Sequence, residues 1–210
     1  MKKANLVVGI LLLIVLGFLG GRNYLNSYKS AVPSTKSNQI DPNNLPGIIT
    51  GTAPWPVETE YLKQRLNILG LPALTFEGTI LHTHQHLDIY IDGQVVAIPA
   101  NVGTDPNQKF ISPIHTHDQS RVVHVESPTV QTFTLGQFFD IWGVRITDSC
   151  LGGYCNQTDK ILHVYSNGKL VPNNFRDLKL EAHQEIVIAF GTEKEIPSPI
   201  PQSYNFPAGY

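Results

Sequence analysis

The chain is poor in charge, and its two signs nearly cancel: 15 lysines and arginines stand against 17 aspartates and glutamates, a net charge of −2. That balance gives no electrostatic basis for a nucleic-acid partner. Charged residues make up only 15% of the chain, beside 17 glycines and 15 prolines, which argues against long solvated helices and for strands, turns and loops. No H-E-x-x-H motif, serine nucleophile elbow or phosphate loop is present, so the sequence offers none of those ready-made reaction centres. Cysteine is nearly absent. Cys150 and Cys155 are the only two, and Cys-x4-Cys is not the Cys-x2-Cys spacing of redox or structural zinc motifs. In an exported chain this pair reads first as a disulfide across a small loop, with Gly152 and Gly153 allowing the reversal; metal ligation and thiol exchange are the alternatives.

Long apolar runs are absent apart from one. Leu6 to Gly21 carries no charged or strongly polar side chain, with Lys2 and Lys3 before it and Arg22 after it. The run is slightly short of the roughly 20 residues that span a bilayer, and Ala4 and Asn5 can extend it. A cleaved signal peptide calls for small residues at −3 and −1, and Leu19-Gly20-Gly21 fits poorly; no lipobox cysteine is present. Residues 1–22 are therefore read as an uncleaved signal anchor, a transmembrane helix with the lysines in the cytoplasm and the rest outside, periplasmic or extracellular. Either reading exports the domain. Residues 23–54, rich in Ser, Thr, Asn, Pro and Gly, read as a flexible tether, 55–195 as one globular domain, and 196–210 as a proline-rich tail that wraps the surface or is disordered.

The expected fold class is α+β, a mostly antiparallel sheet with one or two short helices. A helix is predicted from Val57 to Leu69, with Tyr61, Leu62, Arg65, Leu66 and Leu69 on one stripe and Gly70 as its stop. Leu81 to Ile91, Asp92-Gly93 and Val95 to Ile98 read as a hairpin with a type I′ turn. Ile111–Thr116 and Arg121–Glu126 follow as strands, and Thr132–Thr134 is expected to pair back across Ser127-Pro128. Thr134 caps a helix from Leu135 to Trp142 ended by Gly143. A second hairpin turns at Asn167-Gly168, and Glu185–Phe190 is the last strand. From Val122 onward this order makes a β-grasp-like C-terminal half. Leu162 to Pro172, Leu180 and Glu185-Ile-Val-Ile resemble the second half of small sulfur-carrier β-grasp proteins. Those carriers act through a terminal Gly-Gly; here Phe190-Gly191 runs on into more chain, so the resemblance implies fold and not carrier chemistry.

What the sequence has in excess is histidine. Six of its eight lie between His82 and His124. On a strand, His82, His84, His86 and Asp88 share a face, because side chains repeat every two residues. His115 and His117 form a second i, i+2 pair beside Asp118, and His124 comes from the next strand. Neutral imidazole suits zinc, copper, iron and nickel, and an extracytoplasmic site without free thiolate suits copper(II) or zinc. The expected ligands are His84, His86, His115, His117 and His124, with His82 either a ligand or a support. Asp88 and Asp118 are candidates to orient imidazole N–H groups. Glu126 is the candidate general base, against the plainer reading of a solvated glutamate. His163 and His183 read as ordinary polar or packed histidines. The plain readings for the cluster as a whole are polar packing and pH sensing.

Four stretches, His-x-His-x-His-Leu-Asp-Ile-Tyr-Ile-Asp-Gly (82–93), His-Thr-His-Asp (115–118), Val-His-Val-Glu-Ser-Pro (123–128) and Phe-Thr-Leu-Gly-Gln-Phe-Phe-Asp-Ile-Trp-Gly (133–143), give the chain a resemblance to a family of uncharacterised exported, membrane-anchored bacterial proteins. The resemblance implies that histidines and helix belong to one domain and implies no reaction. The expected function is an extracytoplasmic, membrane-anchored metal-binding protein for copper or zinc. The alternatives are a metalloenzyme with three histidines and an open position for water or dioxygen, and an interaction module of a membrane complex recruiting through the sheet edge or the Phe138-Phe139-Trp142 stripe, for which core packing is the plainer reading.

Overall fold

The computed structural model describes residues 40–210. Helix α1 (Leu62–Leu69) opens the described elements and ends at Gly70 in the left-handed region, as its sequence predicts. It starts later than the periodicity from Val57 suggests. The Glu58 side chain accepts a hydrogen bond from the Tyr61 N–H at 3.1 Å and also binds Arg65, which holds the preceding residues as an irregular lead-in.

Eleven strands follow: β1 (Leu81–Ile91), β2 (Gln94–Val96), β3 (Thr104–Asp105), β4 (Phe110–Ile111), β5 (Ile114–His115), β6 (Val122–Ser127), β7 (Cys150–Leu151), β8 (Tyr154–Cys155), β9 (Ile161–Ser166), β10 (Lys169–Val171) and β11 (Gln184–Gly191). Helix α2 (Leu135–Trp142) lies between β6 and β7, and a 3-10 turn, Phe175–Asp177, precedes β11. The class is α+β. One seven-stranded sheet runs β10-β9-β11-β1-β6-β5, with β2 beside β1. All its pairings are antiparallel except β1 with β11. Both expected hairpins form, and Asp92-Gly93 and Asn167-Gly168 all have positive φ, as a type I′ turn requires.

The pleat sorts the residues onto two faces. Leu87, Ile89, Val123, Val125, Ile114, Leu162, Val164, Ile186, Ile188 and Phe190 point one way and join the apolar core with Phe138, Phe139 and Trp142 of α2. Burial of these side chains is the main term holding helix to sheet, at roughly 1.5–3 kcal/mol for each large one. Thr134 caps α2 in a full capping box with Gln137. The opposite face of the sheet carries the histidines.

Three expectations are corrected. Thr132–Thr134 does not pair with β6, because β6 already has β1 on one edge and β5 on the other. Thr134 bridges Lys179 instead. The grasp-like half is not self-contained: its last strand, β11, lies beside β1, so the histidine strand belongs to the same sheet. The folded unit also starts earlier than 55. It spans Ile40–Tyr210, and the end of the expected tether packs on it through buried Leu45 and a bridge from Ile49 to Val144. The signal-anchor reading falls on residues outside those described; among the described residues no helix is long and apolar enough to cross a membrane.

Candidate metal centre

The register of three adjacent strands builds the centre. His84 of β1 sits opposite His124 of β6, and His124 sits opposite His115 of β5. Cross-strand partners have Cβ atoms about 4.5–5.5 Å apart, so the three rings form one row. One pleat along, His82 sits opposite Glu126. His117 follows β5 and folds back over the row, its ring centroid 4.4 Å from that of His124.

Glu126 is the hub. Its Oε1 is 3.2 Å from His82 Nε2, 3.1 Å from His124 Nδ1 and 3.8 Å from His117 Nε2, and its Oε2 is 3.8 Å from His115 Nε2. The Nε2 atoms of His82 and His84 are 3.1 Å apart, and those of His115 and His117 are 3.2 Å apart. Two four-residue groups can each hold a metal ion: His82, His84, His124 and Glu126, and His115, His117, His124 and Glu126. Within each, one donor atom per residue lies within 4.8 Å of all the others.

The interior of the cluster is buried. His115 is 0% exposed, Glu126 3%, and His84 and His124 5% each. His82 and His117 are half-exposed, with side chains 50% and 42% accessible, and form its mouth. Desolvation disfavours the charged imidazole and pushes His84 and His115 down to about 4; for His84 the neighbouring His124 and His82 add to it. Burial works against the Glu126 carboxylate, but the His124 hydrogen bond and the imidazoles of His115 and His82 outweigh it and hold the group at about 2. At neutral pH His84 and His115 are therefore neutral imidazoles beside the Glu126 anion, with ring lone pairs to offer. The Ser112 carbonyl, 2.9 Å from His115 Nδ1, can only accept, so Nδ1 carries the proton and Nε2 faces the cluster as a donor atom.

The remaining candidates divide. His86 shares the face but leaves the cluster: its Nδ1 lies 2.9 Å from Glu185 of β11, and it groups with Asp88 and Glu185. Its Nε2 is buried without a partner. Asp88 does not orient an imidazole; it forms an ion pair with Arg121. Asp118 accepts from the Ser120 N–H at 2.8 Å in a turn and orients no ring either. Cys150 and Cys155 form the disulfide, closing the β7–β8 hairpin. His163 and His183 stay outside all three groups.

Sequence reasoning missed four contributors. Glu185 reaches His86 because β1 and β11 run parallel in register, a pairing with no local signal. Glu77 lies 3.6 Å from His117 Nε2. Two rings of the tail complete the face: Tyr204 stacks on His86 at 3.9 Å between centroids with planes 4° apart, and Tyr210 lies 4.4 Å from His84 and 5.5 Å from His124. The tail thus crosses the histidine face, and Ile196, Pro197 and Ile200 share a cavity with His163 and Tyr165 farther along it.

No family model, curated protein or solved structure matches the chain.

Proposed function

We propose that this chain is a metal-binding protein that holds zinc or copper(II) at the Glu126 cluster, outside the cytoplasm and tethered to the membrane through residues 1–22. The observation that carries the reading is the convergence of five imidazoles on one buried carboxylate. Desolvating that many polar groups is costly unless they find partners, and apart from His115 Nδ1 on the Ser112 carbonyl the ring nitrogens in contact meet one another and Glu126. Imidazole nitrogen with one carboxylate oxygen is a borderline donor set that suits zinc and copper(II) better than calcium or magnesium. The paired cysteines fit an oxidising compartment and the reading of 1–22 as an anchor.

The enzymatic alternative draws on Glu126 as a general base. A base working near neutral pH is most effective with a pKa near 7. Glu126 is held at about 2 and packed among ring nitrogens, which suits an anionic ligand better. The interaction alternative through Phe138, Phe139 and Trp142 is dropped, since all three are buried in the core.

The test is elemental analysis of the full chain, purified without a polyhistidine tag and equilibrated with each ion in turn. Zinc or copper retained stoichiometrically through desalting is expected. No retained metal with either ion would overturn the reading.

A further inference from the structure

We infer that the Glu126 cluster is a two-ion centre, with His82 and His84 serving one ion, His115 and His117 a second, and the Glu126 carboxylate bridging them. This deepens the metal-binding reading and rests on it.

The donor count requires a division. Five imidazoles and a carboxylate exceed the four ligands zinc takes in a closed protein site. They fall into two sets by strand. His82 and His84 lie on β1, His115 and His117 on and just after β5, and β6 runs between them. Each pair brings its two Nε2 atoms to 3.1 and 3.2 Å. Two ligands of one tetrahedral ion, with bonds of about 2.0–2.1 Å, stand about 3.3 Å apart. Each pair is therefore already spaced as neighbouring ligands of its own ion.

The two sets share their remaining members. Glu126 belongs to both: its Oε1 lies 3.2 Å from His82 Nε2 and its Oε2 3.8 Å from His115 Nε2, with His117 Nε2 3.8 Å from Oε1. A carboxylate placed this way supplies one oxygen to each of two ions, and bridged pairs in proteins lie about 3.5–4 Å apart. His124 is also common to both and stands between the pairs as the further donor. A second anion lies near the His115–His117 half, since Glu77 is 3.6 Å from His117 Nε2. The exposed mouth at His82 and His117 gives each half its own entry from solvent.

The neighbouring His86 group does not compete as the second site. Its Asp88 is paired with Arg121, and its Glu185 holds His86 Nδ1. What that group does in the fold is orient His86 against Tyr204.

The experiment is stoichiometry by elemental analysis on the full chain, with zinc and then copper(II) as probes, together with electron paramagnetic resonance of the copper form. Two equivalents per chain are expected, and two bridged copper(II) ions should show less than half of the double-integrated signal that two isolated ions give. H82A/H84A and H115A/H117A should each retain one equivalent with a full mononuclear signal. The four-site variant should retain none, and H86A should retain both. Circular dichroism and the intact disulfide check the fold of each variant, and E126Q, which keeps the shape, should lose the magnetic coupling. One equivalent in the parent chain overturns the two-ion centre and leaves the metal-binding reading standing. Two equivalents that fall to one in H86A, or one equivalent left in the four-site variant, also overturn it. Zero equivalents in the parent overturns both.

Discussion

His115 has both ring nitrogens committed and no exposure to water, so its protonation is bound to the state of the fold. An imidazole that is neutral in the folded chain down to about 4 takes up its proton in the unfolded chain near its ordinary 6.5. Between those values the unfolded state binds more protons, so stability rises with pH through that window and is lost as the pH falls through it. His84 acts in the same direction, facing His82, His124, Glu126, His183 and the Tyr210 ring. Glu126, depressed to about 2, extends the loss from its ordinary 4.5 downward. For His115 alone the effect reaches up to about 3 kcal/mol. The urea midpoint of the metal-free protein should fall steadily from pH 7 to pH 4.5, and a midpoint flat across that range would contradict the burial argument. Substituting His115 by Asn should flatten the profile measurably. The two i, i+2 pairs were legible at this scale, because strand periodicity alone puts their rings on one face. The Ser112 carbonyl was not, because a backbone acceptor leaves no trace in residue type.

Among the elements, α1 depends on one residue. Arg65 is fully buried; its guanidinium donates to the carbonyls of Pro46, Glu58 and Ile141 and pairs with the Glu58 carboxylate. It ties the segment before the helix and the end of α2 to one point. Arg65→Met keeps the volume but strands the carboxylate and three carbonyls, and breaking a buried pair in this way costs about 3–5 kcal/mol. Thermal melting should show a loss of that order; a change below about 1 kcal/mol, the usual worth of an exposed pair, would mean that the pair is screened by water. The β7–β8 disulfide is a more local matter. Closing so short a loop stabilises by about 2 kcal/mol on the chain-entropy account, so C150S/C155S should lose about that much and keep its metal. The helical stripe of α1 was legible, but it carried Arg65 as an apparent member, with no hint that its charge is consumed by carbonyls far along the chain. The Thr132–Thr134 strand was misread for the reason that governs all sheet pairing. A segment with good local propensity forms no ladder where both edges of its neighbour are taken.

Across the whole molecule, the sheet has one face in the core and the other under the tail. Val187 and Ala189 sit on that second face and are 0% exposed. Tyr210 lies over His84 and His124 of the histidine row, Tyr204 stacks on His86 beside it, and His183 reaches the backbone oxygen of Tyr210 at 2.9 Å. On the metal-binding reading, deleting residues 203–210 should speed the transfer of bound zinc to a chelator at least several-fold while leaving stoichiometry unchanged. Equal transfer rates would show that the mouth at His82 and His117 alone controls exchange. The tail's composition pointed to a surface path, but its role as a cover was invisible, because aromatic rings in a proline-rich stretch do not say what they will lie on.

The parallel pairing of β1 with β11 has a consequence in time. The strand that presents His82, His84 and His86 gains the partner on its second edge only when Gln184–Gly191 arrives, well after β2 and β6 have been made. A chain emerging from a ribosome or a translocation pore amino end first holds β1 between β6 and an open edge until β11 follows. On the proposed reading of an exported metal-binding chain, a site completed so late would take its ion only after the polypeptide has left the machinery that delivers it, from the compartment of arrival rather than that of synthesis.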